Sequence, residues 1–291
     1  MKKMIICTGS SGFIGKNICK KTNLPDDCRV DFVNGIDPFC FLKKLEDSDY
    51  AKNIDIILHN GACSSTTESD PNYLMKVNFD YSASLLRLCI KHNIRLIYAS
   101  SASVYGDGPF EEDGLKAPKN LYALSKSLFD DYAMAFVDHL PQVVGLRYFN
   151  VYGPREEHKG DMASVMYRFY NQVRDFNKVK LFKNSDKYLR DFIYIDDVVN
   201  IVEYFCNNKV SGIYNVGTGR ARSFLDIAEI YNKKFSAEIE MVPMPKSLVG
   251  RYQEYTQSDN VKIKSILDYN YTSLENGIDQ YIKYLDKPKN E

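Results

Sequence analysis

Two short clusters in this 291-residue chain have the residue types and spacing of working chemistry. The first is Thr8-Gly9-Ser-Ser-Gly12-Phe13-Ile14-Gly15, directly after an apolar run. Glycine at the first position permits a tight turn, and at the second it lets backbone amides approach a pyrophosphate. At the third it lets the following helix pack close. Unpaired amides and the dipole at that helix start make an anion site. The second cluster, Tyr122-Ala-Leu-Ser-Lys126, puts a phenol and an ammonium on one face of a helix. A phenol of pKa about 10 is a poor proton carrier at neutral pH, and a fixed cation beside it favours the phenolate. Upstream, Leu96-Ile-Tyr-Ala-Ser-Ser101 runs an apolar strand into hydroxyls, where Ser101 can hydrogen-bond a substrate oxygen that becomes a carbonyl. Each cluster alone is weak evidence, because tyrosine is common here at 22 copies; the order of all three is what makes the reading specific.

The elements that must position these groups follow from the hydrophobic pattern. Short apolar runs at 4–8, 54–60, 96–100 and 143–147 alternate with helical patterns near 12–21, 72–92 and 120–137. In the last of these, Leu124, Leu128, Tyr132, Ala135 and Phe136 form a stripe at helical spacing. Strands alternating with helices predict right-handed crossovers and a doubly wound parallel sheet. After Arg147 the pattern loosens and Pro154 interrupts it. Helices are expected at 164–175, 195–206, 223–234 and 273–285, and a returning strand at 212–216. The expected organisation is an α/β, Rossmann-like dinucleotide-binding domain over 1–150, rejoined by 192–216. A smaller, interleaved substrate lobe occupies most of 151–291.

A dinucleotide turn also asks for an acidic residue about 20 positions on, at the end of the second strand. Two readings stay open here. Either 29–34 is that strand and Asn34 takes the ribose position, or a strand–helix unit is missing and Asp37 faces the adenine.

Lys plus Arg and Asp plus Glu both count 38, so no net field draws nucleic acid or an anionic membrane. The seven cysteines are odd in number and irregular in spacing, which disfavours a metal site or a disulfide framework and fits a reducing cytoplasm. The apolar start is too short for a signal peptide, and no run approaches the roughly 20 residues of a membrane span. A soluble, cytoplasmic protein is expected.

Glycine turn, Ser101, Tyr122 and Lys126, in that order, resemble the short-chain dehydrogenase/reductase family. Ser101-Ala-Ser-Val-Tyr105-Gly106 resembles its extended, nucleotide-sugar branch, that of the NAD-dependent epimerases and dehydratases. Arg190-Asp-Phe-Ile-Tyr-Ile-Asp-Asp-Val198 and Asn215-Val-Gly-Thr-Gly219 support the same branch. Three further segments are similar to its heptose 6-epimerases: Asn60-Gly-Ala-Cys-Ser-Ser-Thr-Thr-Glu68, the long run from Arg147 to Lys159, and Gly250-Arg-Tyr-Gln-Glu-Tyr-Thr-Gln257. The resemblance covers about 4 to 284, with a gap near 23–35.

The resemblance implies inversion at C6″ of an ADP-bound glycero-manno-heptose, giving the L-glycero form used in lipopolysaccharide inner core. It implies a bound NADP, with NAD the alternative, and a homo-oligomer. Ser101, Tyr122 and Lys126 become the reductase-type set, and Lys159 becomes a second acid–base group. Phe13, Ile14, Asn60, Gly61, Ala62, Cys63, Ser64, Asn78, Lys126, Val151 and Lys159 become cofactor contacts. Asn150, Phe182, Lys183, Asn184, Ser185, Arg190 and Tyr252, with Ser101, become substrate contacts, Arg190 suiting a diphosphate. Two departures fall at substrate positions, where Asp161 replaces the usual Ser and Arg168 a His.

The plainer readings are a solvated loop for Lys159, a structural ion pair for Arg190-Asp191 and a core role for Tyr252. Rival functions are another nucleotide-sugar epimerase, dehydratase or reductase, for example on a GDP-heptose, and a non-catalytic cofactor-binding protein. Ala102-Ser103, where a 4,6-dehydratase carries acidic residues, disfavours the dehydratase.

Overall fold

The structure is a computed structural model that describes residues 4–31, 39–245 and 253–287, without the Asp161 side chain. Asp37 and Tyr252 therefore lie outside the described residues. From the N-terminus the elements are β1 (Met4–Thr8), α1 (Phe13–Lys21), β2 (Arg29–Val30), α2 (Phe39–Glu46), α3 (Ser48–Ala51) and β3 (Ile54–His59). Next come α4 (Pro71–Leu74), which runs through a π-helical turn at Met75–Asp80 into α5 (Tyr81–His92), and then β4 (Arg95–Ser101) and α6 (Leu121–Ala135). They are followed by β5 (Val143–Tyr148), β6 (Asn150–Tyr152), α7 (Val165–Phe176), β7 (Lys178–Phe182), β8 (Leu189–Tyr194), α8 (Ile195–Asn207) and β9 (Gly212–Val216). The chain closes with β10 (Ala221–Ser223), α9 (Phe224–Phe235), β11 (Glu238–Val242), α10 (Val261–Lys264) and α11 (Leu274–Leu285).

The main sheet is parallel, in the order β2-β1-β3-β4-β5-β9. Its inner strands are largely apolar, and every residue of β5 is buried, as a strand covered on both faces requires. Strand order reverses between β1 and β3, which opens a crevice at their carboxyl ends. The remaining strands form two small sheets, β10-β8-β6 and a parallel pair β11-β7, against which α7 and α9 pack. Strand 212–216 joins the main sheet as the sequence predicts, and α8 packs on α1. No helix among the described residues is long and apolar enough to cross a membrane.

Two expectations need correction. Of the two readings left open near residue 30, the strand reading holds in shortened form: β2 ends at Val30 instead of 34, pairing Cys7 with Arg29 and Thr8 with Val30, and Asn34 lies outside the described residues. The stripe at Leu124 and Leu128 marks a helix correctly but lies on its outer face, each residue being 38% exposed. The inner face of α6 carries Lys126 and Asp130 instead. Those polar groups are buried because each finds a partner, which hydrophobic periodicity cannot register.

Candidate active site

The glycine turn is built as its spacing requires. Gly9 has φ +68°, and a Cβ there would come within 2.6 Å of the Gly61 nitrogen. A Cβ on Gly15 would come within 2.1 Å of the Gly9 carbonyl oxygen, so only glycine lets α1 start against the turn. Gly12 is the N-cap of α1 and supplies no side-chain cap, leaving first-turn amides for an anion. The Ser10 hydroxyl, buried in the same turn, has no hydrogen-bond partner. A glycine cradle and an orphaned buried hydroxyl fit the diphosphate of a nicotinamide dinucleotide.

Beyond the turn, Asp31 is the first residue after β2, and its carboxylate accepts the Ser11 amide at 2.6 Å. Sequence reading considered Asn34 and Asp37 for the ribose position and passed over Asp31. The signal was available in the spacing, since Asp31 stands about 20 residues beyond the turn. It was obscured because two residues are too few for a recognisable strand.

A cavity of about 550 Å³ joins this turn to the small sheets. It collects Gly9, Gly12, Phe13, Ile14, Gly15, Asn60, Ala62 and Ser64 from the dinucleotide side. Ser101, Tyr122 and Lys126 line the same cavity, as do Asn150, Val151, Lys159, Arg168, Phe182 and Ser185. Strand ends and the start of α6 present the central groups. Asn120 caps α6 through its side chain, which accepts the Ala123 amide at 2.8 Å and sets the register of Tyr122 and Lys126.

Ser101 accepts from the Ser103 hydroxyl at 2.9 Å, and its hydroxyl is the neighbour that lowers the proton affinity of Tyr122. The Lys126 ammonium donates to the Ala99 carbonyl at 2.9 Å. Burial pulls the Lys126 pKa down to about 8, opposed by the Asp130 carboxylate one turn further along α6. Burial pushes the Tyr122 phenol upward, opposed by the Ser101 hydrogen bond. The sequence argument had Lys126 lowering the Tyr122 pKa; in the folded chain burial is the largest influence and raises it, and Ser101 is the group that opposes the rise. Lys159 is drawn down by burial and up by Glu156, whose carboxylate stands 3.7 Å from its Nζ. The same Nζ lies 5.0 Å from the centre of the Phe13 ring. Lys159 is thus no solvated loop residue.

Other expected residues sit behind the wall. Asn78, buried in the π-helical turn, accepts the Cys63 amide at 2.8 Å, donates to the Cys63 carbonyl at 3.0 Å and donates to Ser125 at 3.0 Å. It positions the 61–64 loop and α6. Gly61 donates its amide to the Thr8 hydroxyl at 3.3 Å. Lys183 and Asn184 form the outer half of a turn whose ends, Phe182 and Ser185, face the cavity. Arg190 is buried, donates to the Leu189 carbonyl at 2.9 Å and to that of Gln253, and stacks on Phe224, a cavity residue. It makes no pair with Asp191. That carboxylate instead accepts amides of Thr218, Gly219 and Ser258 at 2.8, 2.8 and 3.0 Å.

Sequence reading missed Lys180 and His59. Lys180 lines the cavity two residues before Phe182 on β7, and strand alternation puts both on one face. His59 ends β3 fully enclosed, bonded to Thr8 at 2.7 Å through Nδ1 and to Ser82 at 2.8 Å through Nε2. Ser82 spends its proton on the Asn78 carbonyl at 2.6 Å, so Nε2 carries the imidazole hydrogen. Burial pushes the His59 pKa down to about 3, helped by the Lys126 charge. A neutral histidine therefore ties the switch-point strand to the helix behind the site.

Parallel sheet, glycine cradle and a Ser–Tyr–Lys cavity define a nicotinamide-dependent enzyme acting on nucleotide-linked sugars. Residues 5–217 match the NAD dependent epimerase/dehydratase family, and the chain belongs to that family. Over 98% of each chain it is 42% identical to the ADP-L-glycero-D-manno-heptose-6-epimerase of Brachyspira hyodysenteriae. The solved Helicobacter pylori ADP-L-glycero-D-manno-heptose-6-epimerase is similar at 28% identity and TM-score 0.81, covering 98% of this chain and 96% of that one. A UDP-N-acetylglucosamine 4-epimerase from Methanobrevibacter ruminantium shares the fold at 22% identity and TM-score 0.82, covering 98% and 99%.

Proposed function

We propose that this protein inverts C6″ of ADP-D-glycero-β-D-manno-heptose to the L-glycero form. The observation that carries the reading is that Tyr122 and Lys159 line one cavity together with Ser101. Inversion through a ketone needs acid–base groups that reach one carbon from two sides. When bound, the nicotinamide accepts a hydride from C6″ and returns it to the opposite face.

The chain's own groups handle the protons. Tyr122 Oη and Lys159 Nζ share one dissociable proton between them: whichever is unprotonated takes the C6″ hydroxyl proton, and the other supplies a proton as the hydroxyl re-forms on the opposite face. Ser101 would hold the substrate oxygen beside Tyr122, and Lys126 would hold the nicotinamide ribose. Arg168 and Lys180 add cations to the cavity lining, which suits a sugar-nucleotide diphosphate. Residues 1–150 with 192–216 serve the cofactor in this reading, and most of 151–291 serves the sugar nucleotide.

The form of the dinucleotide follows from Asp31. A carboxylate at the end of β2 accepts a ribose 2′-hydroxyl and repels a 2′-phosphate, which supports NAD over the NADP expected from sequence. Mass analysis of nucleotide released on denaturation tests that assignment.

The function is tested by incubating the enzyme in heavy water with the D-glycero substrate and only catalytic amounts of dinucleotide. Full epimerisation with no solvent deuterium on C6″ is expected. A requirement for stoichiometric reductant, or deuterium on that carbon, overturns the reading.

A further inference from the structure

We propose that Glu156 is a positioning residue for Lys159, its buried carboxylate anchoring the Lys159 ammonium at the cavity wall. The inference rests on the reading of Lys159 as the second acid–base group. The Glu156 side chain is 0% exposed, and a carboxylate removed from water needs donors and a counter-charge. Three neutral donors hold it: the Gly153 amide at 3.3 Å and the Ser164 hydroxyl at 2.5 Å on Oε1, and the Ser164 amide at 2.7 Å on Oε2. The Lys159 Nζ, 3.7 Å from Oε2, is its only ion-pair partner among the described residues.

Those donors make the carboxylate a fixed point. Ser164 is the N-cap of α7, so one oxygen is locked to the start of that helix. The segment before Glu156 is fastened to α1 by Asn17, which donates to the Pro154 carbonyl at 2.9 Å and accepts from Arg155 at 2.7 Å. The Lys159 amide donates to the Glu156 carbonyl at 2.9 Å, closing the turn that carries the side chain back over its partner. Across the cavity edge the Phe13 ring of α1 faces the same ammonium. Lysine is a flexible side chain with a point charge; clamped between ring and carboxylate, its Nζ is held where a sugar hydroxyl would approach.

Other charged and titratable groups surround the pair. Tyr231 of α9 and Tyr281 of α11 face Glu156, whose charge helps to raise both phenols. Glu157, His158 and the Lys16 charge of α1 act on one another beside the turn, and Arg168 of α7 shares the cavity. On Lys159 itself the opposing influences are burial, which lowers its proton affinity, and Glu156, which raises it. Removing the negative charge leaves burial unopposed.

Competitive acetylation of the cofactor-loaded enzyme with acetic anhydride over a pH series, read by mass spectrometry on the peptide containing Lys159, measures that affinity without turnover. In Glu156→Gln the Lys159 labelling midpoint should fall by about one pH unit or more, the effect of losing an opposite charge at this range. Lys126 should keep its midpoint, and the Lys159 limb of the kcat/KM profile should move the same way. An unchanged Lys159 midpoint in the folded variant overturns the proposal. Should Glu156→Gln fail to fold, Glu156→Asp keeps the charge and withdraws it by one methylene; a smaller fall is expected, and no fall is equally fatal. If the coupling is measured but Lys159→Met still epimerises, the function assigned to Lys159 fails while the ion-pair contact stands.

Discussion

Asp130 on α6 and Arg147 on β5 form a buried ion pair, Oδ2 to Nε at 2.9 Å, both side chains almost wholly enclosed. Asp130 continues the row Tyr122–Lys126 by one more helical turn, so the pair pins the inner face of α6 to the sheet. The Tyr98 and Ser100 hydroxyls of β4 donate to the same carboxylate at 3.1 and 3.0 Å. Arg147 also donates from Nη1 to the Tyr105 hydroxyl at 2.8 Å and the Glu112 carbonyl at 3.0 Å. The site's geometry thus rests on a hydrogen-bonded polar core beneath it, held out of water.

Asp130→Asn should destabilise the fold by about 3–5 kcal/mol, the cost of stranding a buried cation, seen as a lower urea midpoint. The Lys126 proton affinity should also drop, because Asp130 opposes the burial that already brings it to about 8. A variant as stable as the parent would show that the pair is not holding the helix.

Stability should fall in acid through His59. The folded pKa is about 3, against about 6.5 for the unfolded chain, so between those values the unfolded state binds a proton that the folded state refuses. The histidine's penalty is absent above the upper value and grows by about 1.4 kcal/mol per pH unit below it, down to the folded pKa. Urea titrations of the parent and of His59→Gln across that window should differ in slope, the variant being less stable but flatter. Parallel slopes would remove His59 from the acid response.

Tyr122→Phe should cut kcat by about 10²–10⁴-fold, the usual contribution of a positioned acid–base group, with an unchanged melting temperature. Lys159→Met should cut kcat as deeply, with a lower melting temperature because it strands the buried Glu156 carboxylate. Near-normal epimerisation in either variant would break the two-sided proton scheme.

Asp31→Ala should weaken NAD binding and narrow its advantage over NADP, by losing an acceptor for the ribose and a repulsive charge against the 2′-phosphate. Dissociation constants from quenching of reduced-nicotinamide fluorescence give both numbers. Should the parent already prefer NADP, Asp31 is not the ribose ligand.

Much of this molecule was legible in the chain itself. The glycine turn, the Ser101–Tyr122–Lys126 order and the alternation of strands with helices are local patterns, set by backbone sterics and by burial on two faces of a parallel sheet. They predicted the main sheet and named the three glycines, Ser101, Tyr122 and Lys126 of the cavity, whereas most of its other expected lining residues came from the family resemblance. The family resemblance added Lys159, whose surroundings of Glu and His would otherwise read as a solvated cluster.

Partnership between distant buried polar groups is what local pattern could not express. Asp130 and Asp131 look alike in sequence, yet the first is buried against Arg147 while the second is exposed and pairs with Lys116. The outward stripe of α6, the two-residue β2 that delivers Asp31, and His59 held neutral between Thr8 and Ser82 have the same origin. Propensity and periodicity act over one or two turns of chain. Whether a charge can leave water depends on what another strand or helix brings within about 3 Å of it, and only the assembled tertiary structure decides that.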